Sequence, residues 1–245
     1  MNAALLVMLL APAATNGAPA LTGKEILDRV DENYKAVNRC TVSSMTIHGR
    51  RDSRTVRSRS WVEGTTRAFT EYLDPPREKG TKMLKVEDEL WTWSPSTDRI
   101  IRIAGHMLRQ SVMGSDLSYE DFMEDPILNN LYYSEVTGEE DINGRPCYEL
   151  ALKAKVEEIA YDSRKLWVDK EWFLPMREER YAKSGKLLKL VEIDEVMQQG
   201  ERWYPKRVTF KDTLKRGDGT VMEIESIEFD VDIPEYLFSK ASLKR

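Results

Sequence analysis

From Cys40 onward, apolar and β-branched residues recur at every second position, in short runs separated by turn residues. Successive residues of an extended chain point to opposite faces, so each run offers one face to bury and one to expose. In the first half such runs cover residues 41–47, 55–62, 67–73, 81–86, 89–93 and 99–103. In the second half they cover 148–153, 165–169, 176–181, 187–196, 204–210 and 222–231. Asp74-Pro75-Pro76, Ser94-Pro95-Ser96, Asn143-Gly144, Ser184-Gly185 and Gly217-Asp218-Gly219 punctuate them. Short turns impose antiparallel pairing, because a parallel crossover needs a dozen or more residues.

A single antiparallel sheet this wide curls. Eight strands already close a barrel that side chains just fill, so a wider curled sheet encloses space its own residues leave open. The expected fold is therefore mainly β: a strongly curved antiparallel sheet, a half-open β-barrel of about 11 strands, capped by a few α-helices.

Two segments break the period of two. Thr22 and Glu25 have capping-box spacing, and Ile26, Leu27, Val30, Tyr34 and Val37 follow at helical spacing, which predicts an amphipathic helix over 23–37. Residues 105–130 interrupt the strands in mid-chain. Ser118 reads as a helix start, with Phe122, Met123, Ile127 and Leu128 on the apolar side and Pro126 ending the helix early. The run 105–114 reads as a short helix or a loop, and 234–238 as a final turn. This interrupting segment is the natural place for a movable lid.

The N-terminal run from Ala3 to Ala14 is apolar but shorter than the roughly 20 residues a membrane span needs. With Ala18-Pro19-Ala20 behind it, it reads as a cleavable signal peptide over 1–20 that delivers the chain to the periplasm. Residues 21–245 then form one domain, with no linker or repeat to divide them. Export makes a Cys40–Cys147 disulfide an option, with two buried thiols as the alternative.

Composition removes several function classes. A net charge of −5 disfavours nucleic acid as a partner. The two histidines, His48 and His106, have no Cys or His at ligand spacing, so no metal and no cofactor are expected. There is no G-x-S-x-G elbow and no phosphate-binding G-x-x-x-x-G-K-[ST] loop, and the chain reads as a non-enzyme. The acidic run Asp116, Glu120, Asp121, Glu124 and Asp125 lacks calcium-loop spacing and reads as a solvated helix face. Arg50, Arg51, Arg54, Arg57 and Arg59 form a basic strand face, either solvated or a docking patch; Arg57 and Arg59 are its candidate partner contacts.

The apolar residues that share strand faces suggest a cavity lining. Trp91 and Trp93, Ile101 and Ile103, and Met45 and Ile47 are such pairs. Phe69, Met83, Met107, Met113, Phe122 and Met123 join them, the methionines as adaptable surface for ligands of variable shape. Ordinary core packing is the alternative for all of them.

Three stretches carry a family resemblance. They are Asp74-Pro75-Pro76-Arg77-Glu78-Lys79-Gly80-Thr81; Leu90-Trp91-Thr92-Trp93-Ser94-Pro95 running to Arg99-Ile100-Ile101-Arg102-Ile103; and Met113-Gly114-Ser115-Asp116-Leu117-Ser118-Tyr119-Glu120-Asp121. In this order and spacing the chain resembles the outer-membrane lipoprotein-sorting protein family, LolA/LolB-like periplasmic carriers. The resemblance implies a helix-capped half-barrel whose hydrophobic cavity takes lipid or lipoprotein acyl chains for transfer toward the outer membrane. It also implies transient membrane contact and a monomer. The alternative is an accessory subunit that binds an inner-membrane transporter and carries nothing. Within the motifs, Asp74, Gly80, Asp116 and Asp121 suit structural roles, with interaction with a membrane partner as the alternative. Asp116 is placed to cap the Ser118 helix or to pair with Arg99 or Arg102.

Overall fold

The computed structural model describes residues 21–34, 38–200 and 202–245; the leader expected over 1–20 lies outside the described residues. Helix α1 spans Gly23–Tyr34. Its start is the expected capping box: the Thr22 amide donates to Glu25 Oε2 at 2.8 Å, and the Glu25 amide donates to Thr22 Oγ1 at 3.2 Å. Ile26, Leu27 and Val30 are fully buried, as their spacing requires. The far end of the predicted helix, 35–37, lies outside the described residues.

Among the described residues thirteen strands follow: β1 (Arg39–His48), β2 (Ser53–Glu63), β3 (Arg67–Asp74), β4 (Lys82–Val86), β5 (Glu89–Ser94), β6 (Arg99–Ile103), β7 (Tyr132–Ile142), β8 (Arg145–Ala154), β9 (Ser163–Asp169), β10 (Pro175–Tyr181), β11 (Leu187–Gln199), β12 (Arg202–Asp212) and β13 (Gly219–Phe229). The expectation of about eleven falls short chiefly at β7. Its sequence, YYSEVTGEEDI, carries charge where strand patterns look for apolar residues, and most of it is exposed. The three turn signals work as read: Asn143-Gly144 joins β7 to β8, Ser184-Gly185 joins β10 to β11, and Gly217-Asp218-Gly219 joins β12 to β13.

All thirteen strands form one sheet in the order β6-β5-β4-β3-β2-β1-β13-β12-β11-β10-β9-β8-β7. The chain therefore builds one wing outward from β1 to its edge at β6. It then crosses to the opposite edge at β7 and builds the second wing inward until β13 meets β1. The sheet is open rather than a closed barrel. Its curl is nonetheless strong, because the β2–β3 turn, the β4–β5 turn and the β8–β9 loop line one common cleft.

The crossing segment fills part of the hollow. It comprises two 3-10 turns (Gly105–Arg109 and Val112–Gly114), α2 (Tyr119–Met123) and α3 (Leu128–Leu131). Pro126 separates the two helices, as expected. Helix α1 packs beside α3 on the β7–β9 end, with Ile26, Leu27 and Val30 against Tyr132, Leu150, Leu166 and Val168. A Cβ on Gly23 would stand 2.8 Å from the Ser134 carbonyl, so only glycine permits this approach.

The opposite, outer face of the first wing is covered too. Trp61, Phe69, Leu84 and Trp91 are successive cross-strand neighbours from β2 to β5 and so share a face. Ile233, Phe238 and Leu243 of the C-terminal 3-10 turns pack on that row. Cys40 and Cys147 are free thiols. Five strands stand between β1 and β8 in the sheet, which takes the pair far outside disulfide reach at about 4.8 Å per strand.

Candidate functional site

The inner face is continuous and apolar across the seam between the wings. Ile193, Val208, Met222, Met45 and Val56 are direct neighbours in register from β11 to β2. Over β1 and β2 this row is covered, because Met113, Leu117 and Phe122 of the crossing segment pack onto Met45, Ile47, Val56 and Tyr72. Over β4–β6, Met107, Leu108, Tyr119, Phe122 and Met123 pack onto Met83, Leu90 and Ile103.

Over β10–β13 the cover stands off the row. There a cavity of about 350 Å³ opens, with Val191, Ile193, Val208, Phe210, Met222 and Ile224 on its floor. Val30 of α1 and residues 124–126 and Leu128 of the crossing segment form its roof, and Tyr204, Pro205 and Lys206 are among its walls. On the other side of the crossing segment lies a larger, polar cleft of about 1060 Å³. Glu124 and Asp125 border both spaces, so this stretch is the partition between them.

The partition is held from both wings by charge. On β4, Lys85 Nζ donates to the Phe122 and Met123 carbonyls at 3.2 and 3.3 Å, a cation at the C-terminal end of α2. At the other end, Asp121 closes a capping box on Ser118 and also receives Arg180 at 3.0 Å, Lys189, and the Tyr161 hydroxyl at 2.6 Å. Glu124 pairs with Arg164, and Glu178 pairs with Arg164 at 2.6 Å and Arg180 at 2.9 Å. Arg164 and Asp121 keep only 2% and 4% of their side chains exposed, so these pairs are screened little by solvent. Burial alone would raise the Asp121 carboxyl; the charges of Arg180 and Lys189, with hydrogen bonds from Lys189 and Tyr161, overcome it and hold the group down at about 2. Glu178 is likewise lowered against its own burial by Arg180 and Arg164. At the start of α3, Asp31 of α1 accepts from the Leu128 and Asn129 amides at 3.1 and 3.3 Å. Further back, Asp116 joins Thr220 at 2.8 Å and the Asp212 amide at 2.9 Å, so it anchors the segment to β12 and β13. It neither caps the Ser118 helix nor pairs with Arg99 or Arg102.

The residues expected to line a cavity divide into three groups. Met45, Ile47, Met83, Ile103, Met107, Met113, Phe122 and Met123 meet on the inner face beneath the crossing segment, packed against one another; of these Met123 also borders the polar cleft. Ile101 faces the same way but is 42% exposed on edge strand β6. Phe69, Trp91 and Trp93 pack on the outer face, beneath the C-terminal turns. In the basic strand, Arg57 pairs with Glu225 at 2.7 Å and Arg59 lies over the Trp61 ring. Arg54 reaches across to the Met113 carbonyl.

Sequence reasoning missed the floor of the cavity and the charged cluster. A signal for both exists. Val191/Ile193, Val208/Phe210 and Met222/Ile224 are pairs two apart, and Glu178/Arg180 puts two charges on an inward face where alternation calls for apolar residues. The acidic run read as a solvated helix face is in part buried, because Asp116, Asp121 and Glu124 find their cations and donors on strands up to about a hundred residues away in sequence. Among the described residues no group of three or more His, Cys, Asp or Glu is arranged to hold a metal ion.

One open antiparallel sheet curled around helices, with an apolar hollow on its inner face, defines the class: this is the LolA-like fold. A LolA superfamily protein from Nitrosomonas europaea superposes with a TM-score of 0.75 at 24% identity, over 91% of this chain and 100% of that one. A domain from Vibrio parahaemolyticus, described as a candidate outer membrane lipoprotein-sorting protein, gives 0.80 at 22% identity over 91% and 98%. A DUF1329 family protein from Desulfovibrio piger gives 0.83 at 23% identity over 90% and 97%. No curated protein matches the sequence. The model of a family described as "Uncharacterized protein" matches residues 64–245, and the chain belongs to that family.

Proposed function

We propose that the protein is a periplasmic carrier that takes up acyl chains of a lipid or lipoprotein and shields them from water on the way toward the outer membrane. One observation carries this reading: an apolar cavity of about 350 Å³ on the inner face, roofed by a segment that is not part of the sheet and whose stretch over the cavity is tied to it by buried ion pairs. A roof of that kind can be exchanged for a ligand without dismantling the sheet. Each buried CH₂ contributes about 0.8 kcal/mol, so eight carbons of a chain in this cavity would contribute about 6 kcal/mol. That holds a cargo against water yet leaves it free to move to a larger apolar acceptor. Among the described residues no helix is long and apolar enough to cross a membrane. The likeness to a LolA superfamily protein and a candidate lipoprotein-sorting domain supports the same role by fold alone.

The test is native mass spectrometry of protein recovered from its own cells without detergent. An adduct that fragments to acyl chains is expected. Repeated preparations that carry no lipid, and take none up when offered vesicles, would end the carrier reading.

A further inference from the structure

The apolar cavity has a cationic corner. Arg164 and Arg180 line it beside Val191, Ile193 and Phe210, and both come from the sheet, on β9 and β10. Lys189, on β11, stands next to them through its pairing with Arg180 across the strands. Among the described residues the sheet supplies a single carboxylate to these three cations, that of Glu178. The other two carboxylates, Asp121 and Glu124, belong to the crossing segment. If a ligand chain displaces the segment and keeps water out, three cations face one carboxylate of the sheet. An uncompensated buried charge is costly, so the filled state needs a replacement anion. Even with the segment in place the corner is not saturated: among the described residues, Nε of Arg164 and Nε of Arg180 are buried without an acceptor.

We propose that the cavity selects a single-chain amphiphile with an anionic head, a carboxylate or a phosphate monoester, whose head takes the place of the Asp121 and Glu124 carboxylates on Arg164, Arg180 and Lys189. This rests on the carrier reading and narrows it. The chain lies along Val191, Ile193, Val208, Phe210 and Met222, and the head meets the cations where the apolar floor ends. The carboxylates of the crossing segment then act as an internal competitor. They satisfy the cations when the cavity is empty, and they are displaced together with the roof when it fills. A cavity of about 350 Å³ is at the small end of ligand sites and suits one chain rather than several. Glu178 remains in the corner, repels the incoming head and keeps the guanidinium groups aligned.

The test uses purified protein stripped of lipid and loaded with the neutral dye N-phenylnaphthylamine. Laurate, dodecyl phosphate and dodecanol are then compared as displacers at neutral pH. The anionic compounds should displace the dye at concentrations lower by on the order of tenfold or more, the scale of one charge-assisted contact. If only one of the two wins, that head is the source. Arg164→Gln should bring the ratio of alcohol to acid close to one. Glu124→Gln, which removes the competitor and serves if Arg164→Gln does not fold, should widen it. Equal displacement by all three compounds, or a ratio that Glu124→Gln leaves unchanged or narrows, overturns the anionic-head proposal and leaves the carrier intact. No displacement by any of them overturns both.

Discussion

Asp121 is the residue on which the closed state turns. Its carboxyl accepts from three sheet-side groups, Arg180, Lys189 and Tyr161, while capping its own helix. The folded value of about 2 lies below the ordinary 3.8, so the unfolded chain takes up the proton first as pH falls. The contribution is therefore complete above pH about 4 and is lost as pH drops toward 2. A depression of this size corresponds to roughly 2 kcal/mol. Asp121→Asn should lower stability at pH 7 by about that much, and the gap between variant and parent should close as the pH approaches 2. Urea unfolding at pH 7, 4 and 2.5 measures it; a gap independent of pH would mean that the carboxylate charge is not what holds the segment.

At the scale of elements, the two faces of β5 serve different ends. Leu90 faces inward to the crossing segment, whereas Trp91 and Trp93 face outward to the C-terminal turns. The Trp93 indole donates to Asp98 at 3.1 Å, and Lys82 lies over its ring. Trp93→Asp should thus act on stability, costing about 3 kcal/mol as a large-to-small change that removes the ring from the packing under the C-terminal turns. It should loosen the last turns and leave uptake into the cavity intact. Thermal melting and the amount of bound lipid, measured on one preparation, separate these effects. Lost lipid with an unchanged melting point would put Trp93 back in the ligand path.

For the whole molecule, the order of strands sets the order of opening. The seam of β1 with β13 lies in mid-sheet, paired on both sides, while β6 and β7 are edges. The crossing segment that joins those edges has only short helices and is tied to the second wing by charge pairs. Amides of residues 105–131 should therefore exchange with solvent before those of β1, β2, β12 and β13, as one low-stability unit. Asp121→Asn should speed exchange in that segment alone. Hydrogen exchange read by mass spectrometry tests this, and equal acceleration in the seam strands would show that roof and sheet open together.

The alternation of apolar and polar residues, the turn dipeptides and the Thr22–Glu25 cap are local signals, and they determined the strands, the hairpins and the first helix by themselves. They act within a few residues, where backbone geometry and side-chain spacing decide the outcome. Strand β7 escaped because an edge strand needs little apolar surface, so its alternation is mostly acidic. The sequence pattern also put Trp91 and Trp93 on one face correctly, yet it carried no information about which layer covers that face. Only the tertiary structure decided that. The crossing segment packs tightly over β1–β6 and leaves a roofed cavity over β10–β13. Asp121 and Glu124 meet Arg164, Arg180 and Lys189 only because the sheet curls β9–β11 under α2. Contacts between residues dozens of positions apart depend on packing and burial, which no local spacing encodes.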